Sequence, residues 1–319
     1  MKSSIRNTLT ALAVGATLFG VAACSKPQQN VTVLTGGTSG IYYPIGVGIT
    51  QIIDKNMPDV RSSVQATKAT VENVNLIEAG RGEVAIGLAD TVDDAYKGNK
   101  EIGFDKPLTK LRAIANAYPN YVQIVARADS GIKTLADLKG KRISVGAPKS
   151  GTEVNARTIF KGAGMSYDDM TVEFLPYAES VELMKNRQLD ATLQSSGLGM
   201  AAYRDLAATL PIVFVPVPED VVKAIGNTAY QPGTIPANTY DGQTEDVPTV
   251  KIPNLFFTSA DVPEDTVYQI TKNIFEHLDQ LVTAHAAAKV ITLENAPKGL
   301  PIPLHPGAEK YYREKGLIK

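Results

Sequence analysis

The segment Val31-Thr-Val-Leu-Thr-Gly-Gly-Thr-Ser-Gly-Ile-Tyr-Tyr43 decides the predicted fold. Its β-branched residues predict a strand, its glycines predict a tight turn, and isoleucines at helical spacing from Ile41 to Ile53 predict a helix. The same order returns at residues 142–162, where Gly146-Ala-Pro-Lys-Ser-Gly-Thr-Glu153 forms the turn. Strands that alternate with helices are typical of α/β sheets covered on both faces. The sequence therefore predicts two α/β units.

Two such units in one chain predict two lobes with a cleft between them. We assign residues 31–120 together with 216–319 to lobe I, and residues 121–215 to an inserted lobe II. The chain would then cross between the lobes near residues 118–122 and again near 210–218. Two separate crossings would form a hinge that permits rigid-body closure.

The first 23 residues predict a secretory signal peptide. Lys2 and Arg6 precede an apolar run that is shorter than the ~20 residues a membrane helix needs. The run ends in Val21-Ala-Ala-Cys24, which resembles a bacterial lipobox, where the cysteine is lipidated and becomes the mature N-terminus. An ordinary signal peptide is the alternative. Residues 24–30 are polar and would tether the folded body to a membrane surface outside the cytoplasm.

The composition argues against several other functions. The chain has 319 residues with 32 basic and 33 acidic side chains, so it lacks the basic excess typical of nucleic-acid binding. A single cysteine and three histidines exclude an internal disulfide and disfavour a metal site. Neither G-x-S-x-G nor H-E-x-x-H occurs, so we expect no catalytic residues and no cofactor. A periplasmic enzyme remains an alternative.

Each of the two glycine turns is a candidate anion site. Backbone N–H groups at a helix start have no partner within the helix and carry partial positive charge, which suits a carboxylate. The first turn lacks the dinucleotide-binding spacing, and the second has threonine where a phosphate-binding loop needs lysine. A plain helix cap is the alternative for the first turn. The polar side chains at the two turns are those of Thr38, Ser39, Tyr42, Lys149, Ser150 and Thr152.

A third candidate segment is Gln65-Ala-Thr-Lys-Ala-Thr-Val-Glu-Asn73, which is followed by Asp90 after the next strand. Thr67 and Asn73 can donate or accept hydrogen bonds at the same edge of the sheet. Asp90 could accept a hydrogen bond from an amine on the ligand, or it could cap the next helix. Both interpretations stay open.

These three segments together resemble the TRAP-associated extracytoplasmic immunogenic (TAXI) family of substrate-binding proteins. The likeness continues through Leu135-Ala-Asp-Leu-Lys-Gly140, Val247-Pro-Thr249, Leu293-Glu-Asn295 and residues 303–312. It implies a periplasmic-binding-protein-like, type II-like receptor with two α/β lobes that closes on a small acidic solute. Family members are associated with glutamate-like amino acids and dicarboxylates, which they deliver to a permease driven by an ion gradient. A similar protein that serves an ATP-driven importer or a signalling partner is the alternative.

The chain departs from the family at three candidate positions. Lys68 and Lys149 stand where the family has glycine or another small residue. We expect at least one of these lysines to face the cleft and favour a ligand with more than one carboxylate; solvation of both at the rim is the alternative. Ser195 lies where the family often has a Gly-Pro-rich string, so this wall of the site differs.

Overall fold

A mixed β-sheet runs through residues 29–319, which are the residues that this computed structural model describes. Its strands are β1 (Gln29–Leu34), β2 (Val60–Gln65), β3 (Val84–Leu88), β4 (Leu111–Arg127), β5 (Arg142–Ser144), β6 (Thr171–Glu173), β7 (Ala191–Ser196), β8 (Ile212–Val215), β9 (Gln231–Ile235) and β10 (Val247–Ser259). The sheet order is β2-β1-β3-β10-β4-β7-β5-β6, with β8 paired to β4 and β9 paired to β10.

Helices cover the sheet. They are α1 (Tyr42–Asn56), α2 (Thr70–Glu78), α3 (Ala89–Lys97), α4 (Gly151–Gly162), α5 (Tyr177–Lys185), α6 (Ala201–Thr209), α7 (Glu219–Ile225), α8 (Glu264–Glu276), α9 (Leu278–Ala284) and α10 (Pro306–Glu314). The isoleucine stripe of α1 is fully buried, and every residue of β3 is buried. Burial on both faces is typical of a parallel strand with helices on each side.

The sheet consists of two parallel sets joined by an antiparallel pair. The strands β2, β1 and β3 run parallel in one half, and β6, β5 and β7 run parallel in the other. The long strands β4 and β10 pair antiparallel between the two sets. At Tyr121, β4 changes its partner from β10 to β7. The first predicted crossing, near residues 118–122, therefore lies within one continuous strand.

Residues that follow the second predicted crossing pack beside the predicted lobe II. Helix α7 packs against α4, and buried Val217, Val222 and Tyr230 join the same hydrophobic core as Ile143 and Ile159. Residues 216–230 therefore pack with lobe II, although we assigned them to lobe I. Strand β10 contributes Val250 and Ile252 to that core and Leu255 and Phe257 to the core around Leu34, so the chain would return to lobe I along β10. These apolar residues lack a periodic pattern, which is why the sequence did not place them.

The amino-terminal predictions lie mostly outside the described residues. This applies to the signal peptide and to lipidation of Cys24. The predicted tether extends to residue 30, but β1 already begins at Gln29, which pairs with Val60. Among residues 29–319, none of the helices has the length and apolarity that a membrane span requires.

Candidate functional site

A cavity lies between the carboxyl ends of the two parallel strand sets. It encloses about 640 Å³ of space, its open mouth included. Lobe I contributes residues 36–37, 40–42 and 67–70 together with Leu88, and lobe II contributes residues from the turns after β5 and β6 and from the end of β7. Loops at this edge of parallel strands are where ligands bind in open α/β sheets.

Four helices begin at the cavity wall. Tyr42, Thr70, Gly151 and Tyr177 are the first residues of α1, α2, α4 and α5, and all four line the cavity. The first turn of a helix leaves its N–H groups without partners inside the helix, and the helix dipole adds partial positive charge there. Four such helix starts around one cavity create an environment that attracts an anion.

The side-chain charge at the cavity is positive. Lys68 is the single charged residue among the described residues that line the cavity, and its side chain is exposed. Among those lining residues there is no aspartate or glutamate. The electrostatic potential of the cavity is therefore positive from both its helix starts and its side chain.

The lobe II wall is a hydrogen-bonded group of hydroxyls. The Ser150 side chain caps α4 by accepting a 3.2 Å hydrogen bond from the Glu153 N–H. The Tyr177 hydroxyl donates to the carbonyl oxygen of Ser195 at 2.7 Å. The Thr152 hydroxyl lies 2.5 Å from the Tyr177 oxygen and must donate to it, because the tyrosine proton is already used. Burial raises the pKa of Tyr177 to about 12, so the phenol stays protonated at neutral pH.

Ser195 has an unused hydroxyl. The residue lines the cavity and is only 4% exposed, and within residues 29–319 its Oγ has no hydrogen-bond partner. An unpaired buried hydroxyl costs free energy. A ligand that accepts a hydrogen bond from this hydroxyl would remove that cost.

The lobe I wall is shaped by side chains whose hydroxyls bond within the protein. Tyr42 lines the cavity, but its hydroxyl donates to Oδ1 of Asn254 in β10. The Thr67 hydroxyl lies 2.9 Å from the Thr35 carbonyl oxygen and 2.7 Å from Oδ1 of Asn73. These two residues therefore fix the shape of the wall, and their hydroxyl protons are already used.

Two predicted site residues are structural links outside the cavity lining. Asn73 is buried, and its Nδ2 donates to the carbonyl oxygens of Thr35 (2.7 Å) and Ile86 (2.9 Å), which ties the first glycine turn to β3. Asp90 is buried in the first turn of α3, and its Oδ2 accepts hydrogen bonds from Asn155 and Tyr230. Burial raises the pKa of Asp90 to about 6.

Three further predicted site residues also lie outside the lining. Thr38 is exposed, and Ser39 accepts a 3.4 Å hydrogen bond at its carbonyl oxygen from the Ala202 N–H. Lys149 is exposed with a left-handed backbone, φ 64°, and its carbonyl oxygen accepts a 3.2 Å bond from the Glu72 N–H. Of the predicted site residues, the structure brings together Tyr42, Thr67, Lys68, Ser150, Thr152 and Ser195. Their role in binding stays a prediction.

The sequence did not single out several lining residues as site residues. Tyr177 follows Pro176 at the start of α5, and this second strand-to-helix turn of lobe II was the available signal. Thr70 lies within the third candidate segment but was not named as a site residue, and its hydroxyl accepts a 3.2 Å bond from the Leu88 N–H. Ala69 has φ 71°, a conformation that an alanine rarely adopts and that no sequence pattern indicated.

The two lobes touch around the cavity. Nδ2 of Asn155 on α4 lies 2.9 Å from Oδ2 of Asp90 on α3. The Arg157 guanidinium donates a 3.2 Å bond to the Glu101 carbonyl oxygen, and Gly151 packs against Leu88. These contacts describe a closed arrangement in which the cavity lies between the two lobes.

Two α/β lobes joined by shared strands, with a cavity at their facing edges, define the class of two-lobed periplasmic solute-binding folds. The predicted α/β fold is thus confirmed. The chain belongs to the NMT1-like family, whose profile matches residues 33–316.

Solved structures show the same fold at low sequence identity. A structure described as a periplasmic transporter matches with a TM-score of 0.57 and 11% identity, covering 92% of this chain and 94% of that one. A protein of Bordetella bronchiseptica RB50 matches with a TM-score of 0.53 and 15% identity, over 92% and 83%. The ligand-binding component of an ABC-type import system from Staphylococcus aureus, with zinc bound, matches with a TM-score of 0.50 and 11% identity, over 91% and 93%.

Metal-binding side chains are not clustered in the described part of the chain. Among residues 29–319, no group of three or more histidine, cysteine, aspartate or glutamate side chains is placed to hold a metal ion.

Proposed function

We propose that the protein is an extracytoplasmic receptor that captures a small carboxylated solute between its two lobes and delivers it to a membrane transporter. The observation that carries this proposal is the convergence of four helix starts on one cavity that contains Lys68 and no acidic side chain. A buried carboxylate needs several hydrogen-bond donors, and helix starts supply them without side-chain entropy.

The hinge supports reversible capture. Two long strands, β4 and β10, connect the halves, so a small twist within them would open the cleft without unfolding either core. In this division, lobe I would contain residues 31–120 and the part of the chain that follows its return along β10. The protein would then bind the solute when the cleft closes and release it when the cleft opens, without a chemical reaction.

Two kinds of transporter fit the proposal. The resemblance to the TAXI family favours a TRAP-type permease driven by an ion gradient, with glutamate-like amino acids or dicarboxylates as solutes. The Staphylococcus aureus relative instead belongs to an ABC-type import system. Reconstitution with the permease subunits encoded beside the gene separates them: uptake driven by an imposed ion gradient without ATP supports the TRAP type, and a strict need for ATP supports the other.

A ligand screen tests the proposal itself. Purified protein is heated with small carboxylates and with their neutral amides, such as glutarate against glutaramide. A ligand at 100 times its dissociation constant adds about 2.7 kcal/mol to the free energy of unfolding, so carboxylates should raise the melting temperature and amides should not. Equal shifts with both members of each pair, or none with any carboxylate, would contradict the proposal.

A further inference from the structure

We infer that the solute is an aliphatic carboxylate that has no ammonium group. This inference rests on the proposed function and narrows it, because it excludes the α-amino acids that the family resemblance includes. A buried ammonium is only a donor and needs acceptors, preferably a carboxylate, around it. The composition of the cavity wall decides whether such acceptors are present.

Three carboxylates that follow the cavity loops in sequence are bonded within the protein. Oε2 of Glu72 accepts a 2.6 Å hydrogen bond from the Lys68 N–H. Both carboxylate oxygens of Glu153 bind the Arg157 guanidinium, at 3.0 and 3.1 Å. Asp90 accepts from Asn155 and Tyr230 behind the wall. All three follow the cavity loops in sequence, yet none of them lines the cavity.

Two carbonyl oxygens of buried residues at or behind the cavity wall accept hydrogen bonds from protein groups. The Ser195 carbonyl accepts from Nδ2 of Asn120 at 2.9 Å and from the Tyr177 hydroxyl. The Thr35 carbonyl accepts from Nδ2 of Asn73 and lies within hydrogen-bond distance of the Thr67 hydroxyl. Because a carbonyl oxygen has two lone pairs, the Ser195 carbonyl is saturated. An ammonium would therefore find hydroxyl oxygens but no carboxylate among the lining residues, beside helix starts that repel it.

The remaining wall suits an aliphatic body. Side chains of Ile41, Ala69, Leu88, Ala147 and Pro176 line the cavity between the helix starts. A carboxylate can accept from the free N–H groups and from the Ser195 hydroxyl, while its carbon chain contacts these apolar groups. The wall thus offers N–H donors at the helix starts and apolar surface between them.

Calorimetry with matched pairs tests the inference. Each pair shares a carbon skeleton and differs only at C2, as in 2-oxoisocaproate with leucine, 2-oxobutyrate with 2-aminobutyrate, and 2-oxoglutarate with glutamate. In the pairs that bind, we expect the 2-oxo acid to bind at least ~100-fold more tightly, because the amino acid leaves a buried charge unpaired. The 2-hydroxy acids should bind within about tenfold of the 2-oxo acids.

The outcomes separate this inference from the proposed function. An amino acid that binds as tightly as its 2-oxo partner, or more tightly, overturns the inference and leaves the carboxylate receptor standing. Failure of every carboxylate in the panel, with the protein folded by circular dichroism, overturns both.

Discussion

Nδ2 of Asn155 donates a 2.9 Å hydrogen bond to Oδ2 of Asp90 across the boundary between the lobes. The Tyr230 hydroxyl donates to the same oxygen at 2.6 Å. Asn155 and Tyr230 pack with lobe II, whereas Asp90 opens α3 in lobe I. The closed arrangement therefore buries an acidic side chain, which is only 3% exposed, between the lobes.

This burial predicts a dependence of stability on pH. The pKa of Asp90 is raised to about 6 in the folded protein, against about 3.9 in an unfolded chain. Between these pH values the folded protein holds a proton that the unfolded chain lacks, so the contribution of Asp90 to stability falls as pH rises through this interval. From pH 5 to pH 7.5 we expect a loss of about 1 kcal/mol from this group.

The Asp90→Asn variant isolates that contribution. Other carboxylates titrate in the same range, so the informative quantity is the difference in unfolding free energy between variant and wild type, measured by denaturant titration. That difference should shift in favour of the variant by about 1 kcal/mol from pH 5 to pH 7.5. A difference that is flat with pH would show that Asp90 titrates normally.

For the two lysines that the sequence singled out, we predict different effects of substitution on ligand affinity. Lys68 lines the cavity, whereas Lys149 is exposed outside it. Lys68→Met removes a positive charge near the bound anion, and because the side chain is exposed we expect a loss in affinity of about fivefold. The loss should shrink at 0.5 M salt, since screening weakens exposed charges.

Lys149→Met is the matched control and should bind like wild type. Calorimetry with a carboxylate that binds the wild-type protein provides the measurement. Equal losses in the two variants would indicate a long-range charge effect and would contradict the placement of Lys68 at the site.

The sequence predicted the strand-to-helix turns well, because glycines, caps and helical periodicity are local signals. Ser150 caps α4, and the helix begins at Gly151, two residues before the predicted turn ends at Glu153. The apolar stripe from Val267 to Leu281 predicts one continuous helix, but α8 ends before His277, whose φ is −133°, and α9 follows. The spacing of the apolar residues continues across this break, so the sequence pattern alone does not reveal where α8 ends.

The candidate site was less predictable from the sequence. Whether a side chain is available to a ligand depends on hydrogen-bond partners that are distant in the chain. The same sequence pattern placed Thr67 and Ser195 at the sheet edge, yet one hydroxyl is used within the protein and the other has no partner among the described residues. The partners that decide this lie on other elements, as Asn254 does for Tyr42. Composition and spacing do not encode those contacts.

Buried hydrogen bonds of Asn254 connect strands β4 and β10, and their removal should destabilise the protein. Nδ2 of Asn254 donates to the Tyr118 carbonyl oxygen at 2.8 Å and to Oδ1 of Asn120 at 2.7 Å, and its Oδ1 accepts from Tyr42. Asn254→Ala leaves these groups unpaired, and we expect it to lower the free energy of unfolding by about 3 kcal/mol. Urea denaturation measures the change.

Asn75→Ala serves as the control for this prediction. Asn75 is exposed, and its Nδ2 bonds only to Val71 in the same helix, so the change should stay within about 0.5 kcal/mol. A similar small effect from Asn254→Ala would indicate that water replaces the link.

Lipidation of Cys24 is testable in cells. Wild-type protein should partition into the detergent phase of a Triton extraction, and Cys24→Ser should move to the aqueous phase, since a lipid anchor requires the thiol. Mass spectrometry of the mature N-terminus provides the second measurement. Wild-type protein in the aqueous phase with an unmodified cysteine would favour the ordinary signal peptide.

Gly151 packs tightly against lobe I at the cavity. A Cβ atom there would lie 2.6 Å from Cδ1 of Leu88 and 2.8 Å from Oγ1 of Thr70, both on the opposite lobe. Gly151→Ala should therefore obstruct closure and weaken carboxylate binding by at least ~10-fold, because overpacking typically costs 1–3 kcal/mol. Calorimetry measures the affinity, and small-angle scattering measures the fraction of closed protein.

The same substitution should leave the unliganded protein intact. Residue 151 is the first of α4, where alanine is tolerated better than glycine, and an open cleft relieves the contact with Leu88. Wild-type affinity in Gly151→Ala would mean that the bound state is more open than this arrangement, whereas a lowered melting temperature without ligand would mean that the lobes stay closed when empty.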